Sequence, residues 1–283
     1  MGPPAGGYPS GMRVAFRLLA AVCLVALVSR RAAAFASLDW RALAGDAPVI
    51  FVGELHGDRL LKEELIDGLD ELKAAGVTHL ALEIDDDLQP ALDRLEPSVF
   101  SYMIDGRGVS ELARAARAAG IQLVALDVPR AERAALLEAV CAAKPRCLRA
   151  NQGADDPDQL AARDARMARS LAELARRPGV RVLAYVGAYH ARSQPAILSR
   201  DYGVDARAYI GLRDRRGSLA SQLQGADPDG GSRGTLEAML AAAGRAREAG
   251  LAGSGGVLPA DRERDGVDGY LVLPGSLDQG EGK

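Results

Sequence analysis

The sequence predicts an α/β protein in which helices flank a mainly parallel sheet. Short apolar runs containing β-branched residues alternate with longer runs in which leucines recur at three- and four-residue steps. Two of the helix-like runs stop at glycines, Gly76 and Gly120. Strands and helices that alternate in this way are typical of right-handed crossovers between parallel strands. No internal repeat and no change in composition after residue 36 indicates a second domain.

The elements follow one another in a regular order along the chain. Strands are expected at Val49–Val52, His79–Ile84, Gln122–Val128 and Val180–Val186, with weaker ones at Ala206–Leu212 and Tyr270–Leu273. Helices are expected at Asp58–Ala75, Leu88–Leu95, Val109–Ala119, Arg130–Ala143, Gln159–Arg176 and Leu236–Ala249. A further helix should start after His190. The glycine-rich run Ala252–Gly256 predicts a loop, and the residues after Pro274 predict a disordered tail.

The first 36 residues differ in chemistry from the rest of the chain. They contain no Asp, Glu or Lys, and Arg13 and Arg17 precede the apolar run Leu18–Val28. A basic segment, an apolar run of about 7–15 residues and a motif of small residues together make a secretory signal peptide. Ala34–Ala36 supplies that motif, so cleavage is expected before Ser37.

The predicted organisation is a signal peptide at 1–36, a single domain at 37–274 and a disordered tail at 275–283. It describes an exported protein, either periplasmic or secreted. The apolar run is shorter than the roughly 20 residues of an ordinary membrane span. If the segment were retained, or acylated at Cys23, the protein would instead stay attached to a membrane.

Charge and cysteine content narrow the classes of partner and compartment. The chain has 35 basic and 38 acidic residues, and removing the four arginines of the first segment leaves 31 against 38, a net charge of −7. With no basic block, nucleic acid is not an expected partner. Cys141 and Cys147 would remain in the exported protein, where a local disulfide is expected. Two unpaired thiols are the alternative.

Several common chemistries lack their motifs. The sequence has no Gly-x-x-x-x-Gly-Lys-Ser/Thr loop, no Gly-x-Gly-x-x-Gly after a strand and no His-Glu-x-x-His. Ser254 lacks the glycine two residues before it that a nucleophile elbow needs, since position 252 is alanine. Nucleotide binding, dinucleotide redox chemistry and serine hydrolysis therefore lose support.

Ionisable residues occur where the predicted strands end. Glu54 and His56 follow the first strand, Glu83 ends the second, Asp127 ends the third and His190 follows the fourth. Parallel strands present their carboxyl ends at one edge of a sheet, where α/β proteins bind ligands. We therefore expect these side chains to converge on one pocket, with Glu54 and His56 on the same face of an extended segment.

Four polar residues are less informative by themselves. Asp127 also fits a helix cap, since a proline follows it two residues later. His79 opens its strand at the opposite edge of the sheet and is interpreted as structural. Arg163 and Asp164 lie within a predicted helix, where a charged face is most simply explained by contact with solvent.

Five motifs in sequence resemble one known family. They are Gly53–Gly57, the strand ending at Glu83, Ala125–Arg130, Arg163-Asp164 with Met167-Ala168, and Gly187–His190. Together with Asp268–Pro274 they resemble the ChaN-like group of the Tiki and erythromycin-esterase superfamily. The similarity extends over roughly Val49 to Pro274. It implies an erythromycin-esterase/ChaN-like α/β fold.

The resemblance also implies a site and a function. The site would be built on Glu54, His56, Glu83 and His190, and the resemblance adds Arg163 and Asp164 as candidates. ChaN-like members are exported haem-binding proteins linked to iron uptake, so haem is the expected cofactor, with His56, Tyr189 or His190 near the iron and Tyr102 as a further candidate. The chain departs from the group in lacking a convincing lipoprotein motif and in the short region between Glu83 and Val109.

Hydrolysis is the alternative function within the same superfamily. His56 would act as general base on a water, Glu54 or Glu83 would hold its ring, and Arg163 with His190 would stabilise negative charge. A metal variant would place Zn²⁺ between His56, His190 and Glu83. A scaffold without activity is a third interpretation. The expected partner is a small molecule, and a homodimer stays open.

The signal peptide yields a direct test. We expect the mature protein to begin at or near Ser37 and to be recovered outside the cytoplasm, because Arg13–Ala36 contains all three parts of an export signal. Mass spectrometry of the amino-terminal peptide of purified protein measures this. Full-length chain in the soluble cytosolic fraction would contradict it, and palmitate on Cys23 would indicate a lipoprotein instead.

Overall fold

The computed structural model describes residues 38–143, 156–215, 217–226 and 230–277. The chain divides into two units, Met1–Ala36 and Ser37–Lys283, and the predicted signal peptide lies outside the described residues. Cys141 is disulfide-bonded. Cys147 also lies outside the described residues, so its pairing with Cys141 stays a prediction.

The described residues form one seven-stranded sheet in the order β3-β2-β4-β1-β5-β7-β6. Each neighbouring pair is parallel except β6 and β7, which are antiparallel. This confirms the predicted α/β class. The strands are β1 (Val49–Glu54), β2 (His79–Asp85), β3 (Gln122–Asp127), β4 (Val182–Gly187), β5 (Ala206–Asp214), β6 (Gly256–Pro259) and β7 (Gly269–Leu277).

Helices connect the strands and cover both faces of the sheet. The first half contains α1 (Trp40–Ala44), α2 (Arg59–Asp67), α3 (Leu69–Ala74), α4 (Gln89–Asp93), α5 (Pro97–Phe100), α6 (Gly106–Ala118) and α7 (Arg130–Ala143). The second half contains α8 (Pro157–Ala175), α9 (Ala188–Ile197), α10 (Ser218–Gly225), α11 (Arg233–Glu248), α12 (Leu251–Ser254) and α13 (Arg262–Asp265). A 3₁₀ turn at Asp86–Leu88 precedes α4, and a π turn at Leu198–Tyr202 continues α9. Among the described residues, no helix is both long and apolar enough to cross a membrane.

Several helix boundaries differ from the prediction, and the packing explains two of the differences. The expected helix Asp58–Ala75 is divided at Gly68, and a Cβ at Gly68 would lie 2.0 Å from Cδ1 of Trp40. The break therefore lets the buried indole of Trp40 pack against the backbone. The helix predicted to start after His190 begins at Ala188 instead, because the extended backbone of Gly187 already serves as its N-cap.

The last part of the chain is more ordered than predicted. The expected loop Ala252–Gly256 contains the short helix α12 and leads into β6, which pairs with β7. Gly255 and Gly256 have positive φ values of 71° and 133°, so glycine serves here to turn the chain into the strand. The strand β7 reaches Leu277. Three residues of the predicted disordered tail thus belong to the sheet, and 278–283 lie outside the described residues.

Successive side chains of each central strand point to opposite faces of the sheet, and apolar side chains on both faces form the two layers of the core. Val49 and Phe51 of β1 point into one apolar layer, and Ile50 and Val52 point into the other. The helices α8, α9 and α11 pack on the first layer, while α1, α2, α3 and α6 pack on the second. Continuous burial of β1 on both faces explains why it is an uninterrupted apolar run.

The carboxyl end of β1 is packed very closely against α9. A Cβ at Gly53 would lie 2.6 Å from Cβ of Ala191 and 3.0 Å from Cα of Ala188. Only glycine lets the helix approach to this distance, and His190 lies in the same first turn of that helix, between Ala188 and Ala191. Gly53 therefore sets the position of a predicted site residue without contacting it chemically.

This packing predicts a stability difference between two glycine substitutions. Gly53→Ala should lower the free energy of unfolding by about 1–3 kcal/mol, because the methyl group forces α9 away from the sheet. Gly244→Ala, inside α11 with no atom within 4 Å of the new Cβ, should be neutral or stabilising by up to about 1 kcal/mol. Urea unfolding of both variants measures this. Equal stability of Gly53→Ala and the unaltered protein would contradict the close approach.

Candidate functional site

The carboxyl edge of the sheet brings together the predicted site residues. Glu54 ends β1, Glu83 lies near the end of β2, and His190 is in the first turn of α9 directly after β4. Together with residues from α8 and from the turn after β1, they line a cavity of about 520 Å³. Its predicted members are Glu54, His56, Glu83, Arg163, Tyr189 and His190. His79 opens β2 at the other edge, as expected of a structural residue.

Glu83 is at the centre of the polar contacts. One carboxylate oxygen accepts a hydrogen bond from Nη2 of Arg163 at 2.8 Å and lies 3.4 Å from Nε2 of His190. The other oxygen accepts a bond from the backbone N–H of Gly187 at 2.8 Å. Burial alone would raise the pKa of Glu83, but His190 and then Arg163 outweigh it and hold that pKa well below the ordinary range. Glu83 is therefore an anion at neutral pH.

His190 is held between two carboxylates. Its Nδ1 lies 2.6 Å from Oδ1 of Asp164, while Nε2 faces Glu83. The other oxygen of Asp164 accepts a hydrogen bond from Ser193, and Gln194 donates to Oδ1. Burial would lower the pKa of His190, but the charge of Glu83 and the bond to Asp164 raise it to about 9. The ring is therefore an imidazolium at neutral pH.

Arg163 lies on the buried side of α8 and not on a solvent-facing side. Its Nε and Nη2 donate to the two oxygens of Asp127 at 3.0 and 2.6 Å, and Nη2 also donates to Glu83. The predicted solvated face is thus wrong for Arg163 and Asp164, which are only 7% and 1% exposed. Asp127 acts here as the bidentate partner of a buried guanidinium.

Glu54 has a partner that sequence reasoning missed. Nζ of Lys62, on α2, lies 2.6 Å from Oε2 of Glu54 and 3.2 Å from Oδ2 of Asp105, and the Lys62 side chain is 1% exposed. Burial raises the pKa of Glu54, and the ammonium of Lys62 opposes that rise without cancelling it. The ring of Tyr185 lies 5.7 Å from the same ammonium.

A signal for Lys62 was present in the sequence. It precedes Leu65 by three residues and Leu69 by seven, so it belongs to the apolar stripe of its helix. A lysine on such a stripe is buried only when it is paired with a charge. The position of Lys62 on the apolar stripe, together with the carboxylates at the strand ends, was enough to predict a buried ion pair.

His56 lines the same cavity but lies outside the hydrogen-bonded cluster. Its ring is exposed, and it makes no hydrogen bond to a described residue. The ring lies beside Gly187: a Cβ there would come within 3.4 Å of Cε1 of His56 and 3.3 Å of Oε2 of Glu83. The expectation that Glu54 or Glu83 holds the ring of His56 is wrong, because Lys62 occupies the former and Arg163 and His190 the latter.

The predicted metal ligands are not assembled as a metal site. Among the described residues, no group of three or more His, Cys, Asp or Glu side chains is arranged to hold an ion. Both ring nitrogens of His190 face carboxylates, so neither offers a lone pair. The alternative of Zn²⁺ on His56, His190 and Glu83 is therefore not supported.

The two tyrosines considered as iron ligands differ in position. Tyr189 lines the large cavity and its ring stands edge-on to that of His190, with centroids 5.5 Å apart. Tyr102 is 46% exposed and lines a second, smaller cavity of about 170 Å³ next to Glu54. The guanidinium of Arg130 lies 5.7 Å from the centre of the Tyr102 ring.

Together these features define an α/β protein with a buried, charge-paired Glu/Arg/His cluster beside an exposed histidine.

No family model and no curated protein matches the chain. Among solved structures it is similar to ChaN of Campylobacter jejuni, described as binding haem cofacially: 14% identity, 62% of this chain and 85% of that chain covered, TM-score 0.45. The type III effector HopBA1 is also 14% identical over 83% of this chain and 91% of that chain, with a TM-score of 0.45. RRSP, a MARTX toxin effector domain from Vibrio vulnificus CMCP6, is 22% identical over 58% and 34%, with a TM-score of 0.38.

The charge state of His190 predicts how stability depends on pH. An unfolded histidine titrates near pH 6.5, whereas this ring titrates at about 9 in the folded protein. The stabilisation from its imidazolium is therefore complete below pH 6.5 and is lost as the pH rises through about 9. Urea unfolding between pH 6 and 10 and NMR of the ring nitrogens measure this.

The control for this pH dependence is a histidine at the other edge of the sheet. His190→Gln should remove the loss of stability between pH 7 and 9, whereas His79→Gln should retain it. Burial lowers the pKa of His79, so its ring is already neutral in that window. A His190 ring that titrates near pH 6.5 would contradict the paired arrangement.

Proposed function

We propose that the cavity is a metal-independent hydrolytic site in which His56 acts as general base on a water molecule. The observation that carries the proposal is the state of the histidine rings. His190 is fixed as a cation between two carboxylates, whereas His56 is exposed to the cavity with no bond to a described residue. Histidine is the side chain most often used as general base.

The reaction divides the work between His56 and Arg163. His56 takes a proton from water while the water oxygen attacks the carbonyl carbon of an ester or amide. Negative charge then develops on the carbonyl oxygen, and the same proton passes from His56 to the leaving group as the carbon–oxygen or carbon–nitrogen bond breaks. The hydrogen bonds of Arg163 use Nε and Nη2, so Nη1, which makes none to a described residue, supports the developing charge.

Glu83, His190 and Asp164 are positioning residues in this proposal. Glu83 and Asp127 together hold the guanidinium of Arg163, and His190, which is paired with Asp164, also contacts Glu83. Because each member is paired, the cluster does not need to rearrange when charge appears in the cavity. Preorganised dipoles and charges of this kind lower the barrier without a reorganisation cost.

Haem binding in the same cavity is the second candidate function. The observation in its favour is an exposed, unbonded His56 ring at a cavity of about 520 Å³ with Ile104, 65% exposed, at its rim. His56 could supply an axial nitrogen to the iron. The charged side chains of Glu83 and Arg163, which line the cavity, suit a polar substrate better than the apolar face of a porphyrin. We therefore favour hydrolysis over haem binding. In either case we propose an exported protein that takes a small molecule.

One pair of substitutions tests the proposed function. His56→Gln should reduce ester hydrolysis by roughly 10²–10⁴-fold, since the general base is lost, while the melting temperature stays unchanged because the ring is exposed. His79→Gln is the matched control and should retain activity. Initial rates on a panel of carboxylic esters, with metal chelator present, measure both.

Titration of the same proteins with haem distinguishes the second candidate. A Soret band that forms in the unaltered protein and is lost in His56→Gln, without turnover of any ester, would replace hydrolysis with haem binding. Turnover that is retained in His56→Gln, or abolished by the chelator, would contradict the mechanism.

A further inference from the structure

The exposed histidine lies where two cavities meet. The large cavity of about 520 Å³ and the small one of about 170 Å³ share part of their lining. The shared residues are Glu54, His56, Glu83, Ile104 and Gly187. A substrate bound with its reacting bond next to His56 would therefore extend into both cavities.

The residues that line only one of the two cavities differ in kind: those of the small cavity are mainly apolar, and those of the large cavity are mixed. The small cavity adds Leu82, Val109 and Val186, each at most 2% exposed, together with Met103 and the rings of Tyr102 and Tyr185. The large cavity adds polar side chains from α8, α9, α10 and α11 with its N-cap, and as many apolar or aromatic ones. The polar ones are Arg163, His190, Gln222, Ser232 and Thr235, and the others are Leu55, Leu160, Ala188, Tyr189 and Leu236. One side of the junction thus accommodates an apolar group and the other a polar one.

The size of the small cavity limits the apolar group. An engineered cavity of about 150 Å³ lined by aliphatic side chains binds benzene. The cavity of about 170 Å³ is of the same order, and its walls come from β2, β4 and α6, elements packed in the core. A single ring or a short branched chain fills this space, and a fused bicyclic group exceeds it.

We infer that the substrate is an ester or amide that joins a compact apolar acyl group, about the size of a benzoyl group, to a larger polar portion. The acyl group occupies the small cavity beside Glu54, and the polar alcohol or amine lies in the large cavity near Gln222 and Thr235. Water cleaves the bond between them, giving the free acid and the polar alcohol or amine. This inference rests on the proposed hydrolytic function.

The first test measures binding to the small cavity without catalysis. Benzyl alcohol should bind the unaltered protein with contacts to the methyl groups of Val109 and Val186, observed as NMR chemical-shift changes and intermolecular NOEs. It needs no turnover, so it tests the apolar subsite even if no ester is hydrolysed. Absence of these NOEs at millimolar benzyl alcohol would overturn the subsite.

The second test compares glycerol monoesters of acetic, butyric, benzoic and 1-naphthoic acids. We expect kcat/KM to rise to benzoate and to fall at least tenfold for naphthoate. Val109→Ala should remove that fall by enlarging the cavity. Val77→Ala, the same change at a fully buried position outside both cavities, should keep the original order.

The outcomes of the second test distinguish failure of the inferred substrate class from failure of the proposed hydrolytic function. Turnover of all four esters at equal kcat/KM, or an unchanged order in Val109→Ala, overturns the inferred substrate class and leaves hydrolysis standing. No turnover of any ester overturns the proposed function itself. If Val109→Ala does not fold, Val109→Leu, which narrows the cavity, should shift the preference from benzoate to butyrate, and an unshifted preference overturns the inference.

Discussion

The buried carboxylate of Glu83 must be compensated by positive charge, and its partners fix the arrangement of residues at the carboxyl edge of the sheet. Glu83 is fixed at once by Arg163 of α8, by His190 of α9 and by the backbone of β4 at Gly187. Removing one partner of a buried ion pair typically costs about 3–5 kcal/mol, because a charge is left without compensation. The second layer of partners, Asp127 behind Arg163 and Asp164 behind His190, follows from the same requirement.

The buried carboxylate of Glu54 is compensated by fewer charges than that of Glu83. A single ammonium, Lys62, is shared between Glu54 and Asp105, whereas Glu83 contacts two cations, Arg163 and His190. Both carboxylates have hydrogen-bonding partners other than His56, whose ring makes no hydrogen bond to a described residue.

The fold was predictable because its signals are local and repeated. Buried parallel strands such as Val49–Glu54 are continuous apolar runs, and their carboxyl ends must meet at one edge, so the convergence of Glu54, Glu83 and His190 followed from topology alone. The break at Gly68 depends on the distant Trp40, and the strand β6 forms only because β7 lies beside it. Contacts between residues remote in sequence leave no local pattern.

Lys62 is intermediate, since its helical phase was visible but its partner was not. Which groups a carboxylate binds, and hence the failure of the predicted Zn²⁺ set, could be learned only from the structure.

Glu54 and Glu83 look alike in the sequence, since each follows an apolar strand, yet the structure gives them opposite electrostatic character. Burial acts on both, but two cations, His190 and Arg163, lower the pKa of Glu83, whereas one shared ammonium leaves that of Glu54 raised. Environments that separate the pKa values of neighbouring carboxylates are how one site assigns different tasks to the same residue type. Glu83 is suited to remain a fixed anion that holds Arg163 in place. Glu54, bordering both cavities, is the carboxylate whose proton affinity a bound apolar group would raise further, because such a group displaces water from beside it.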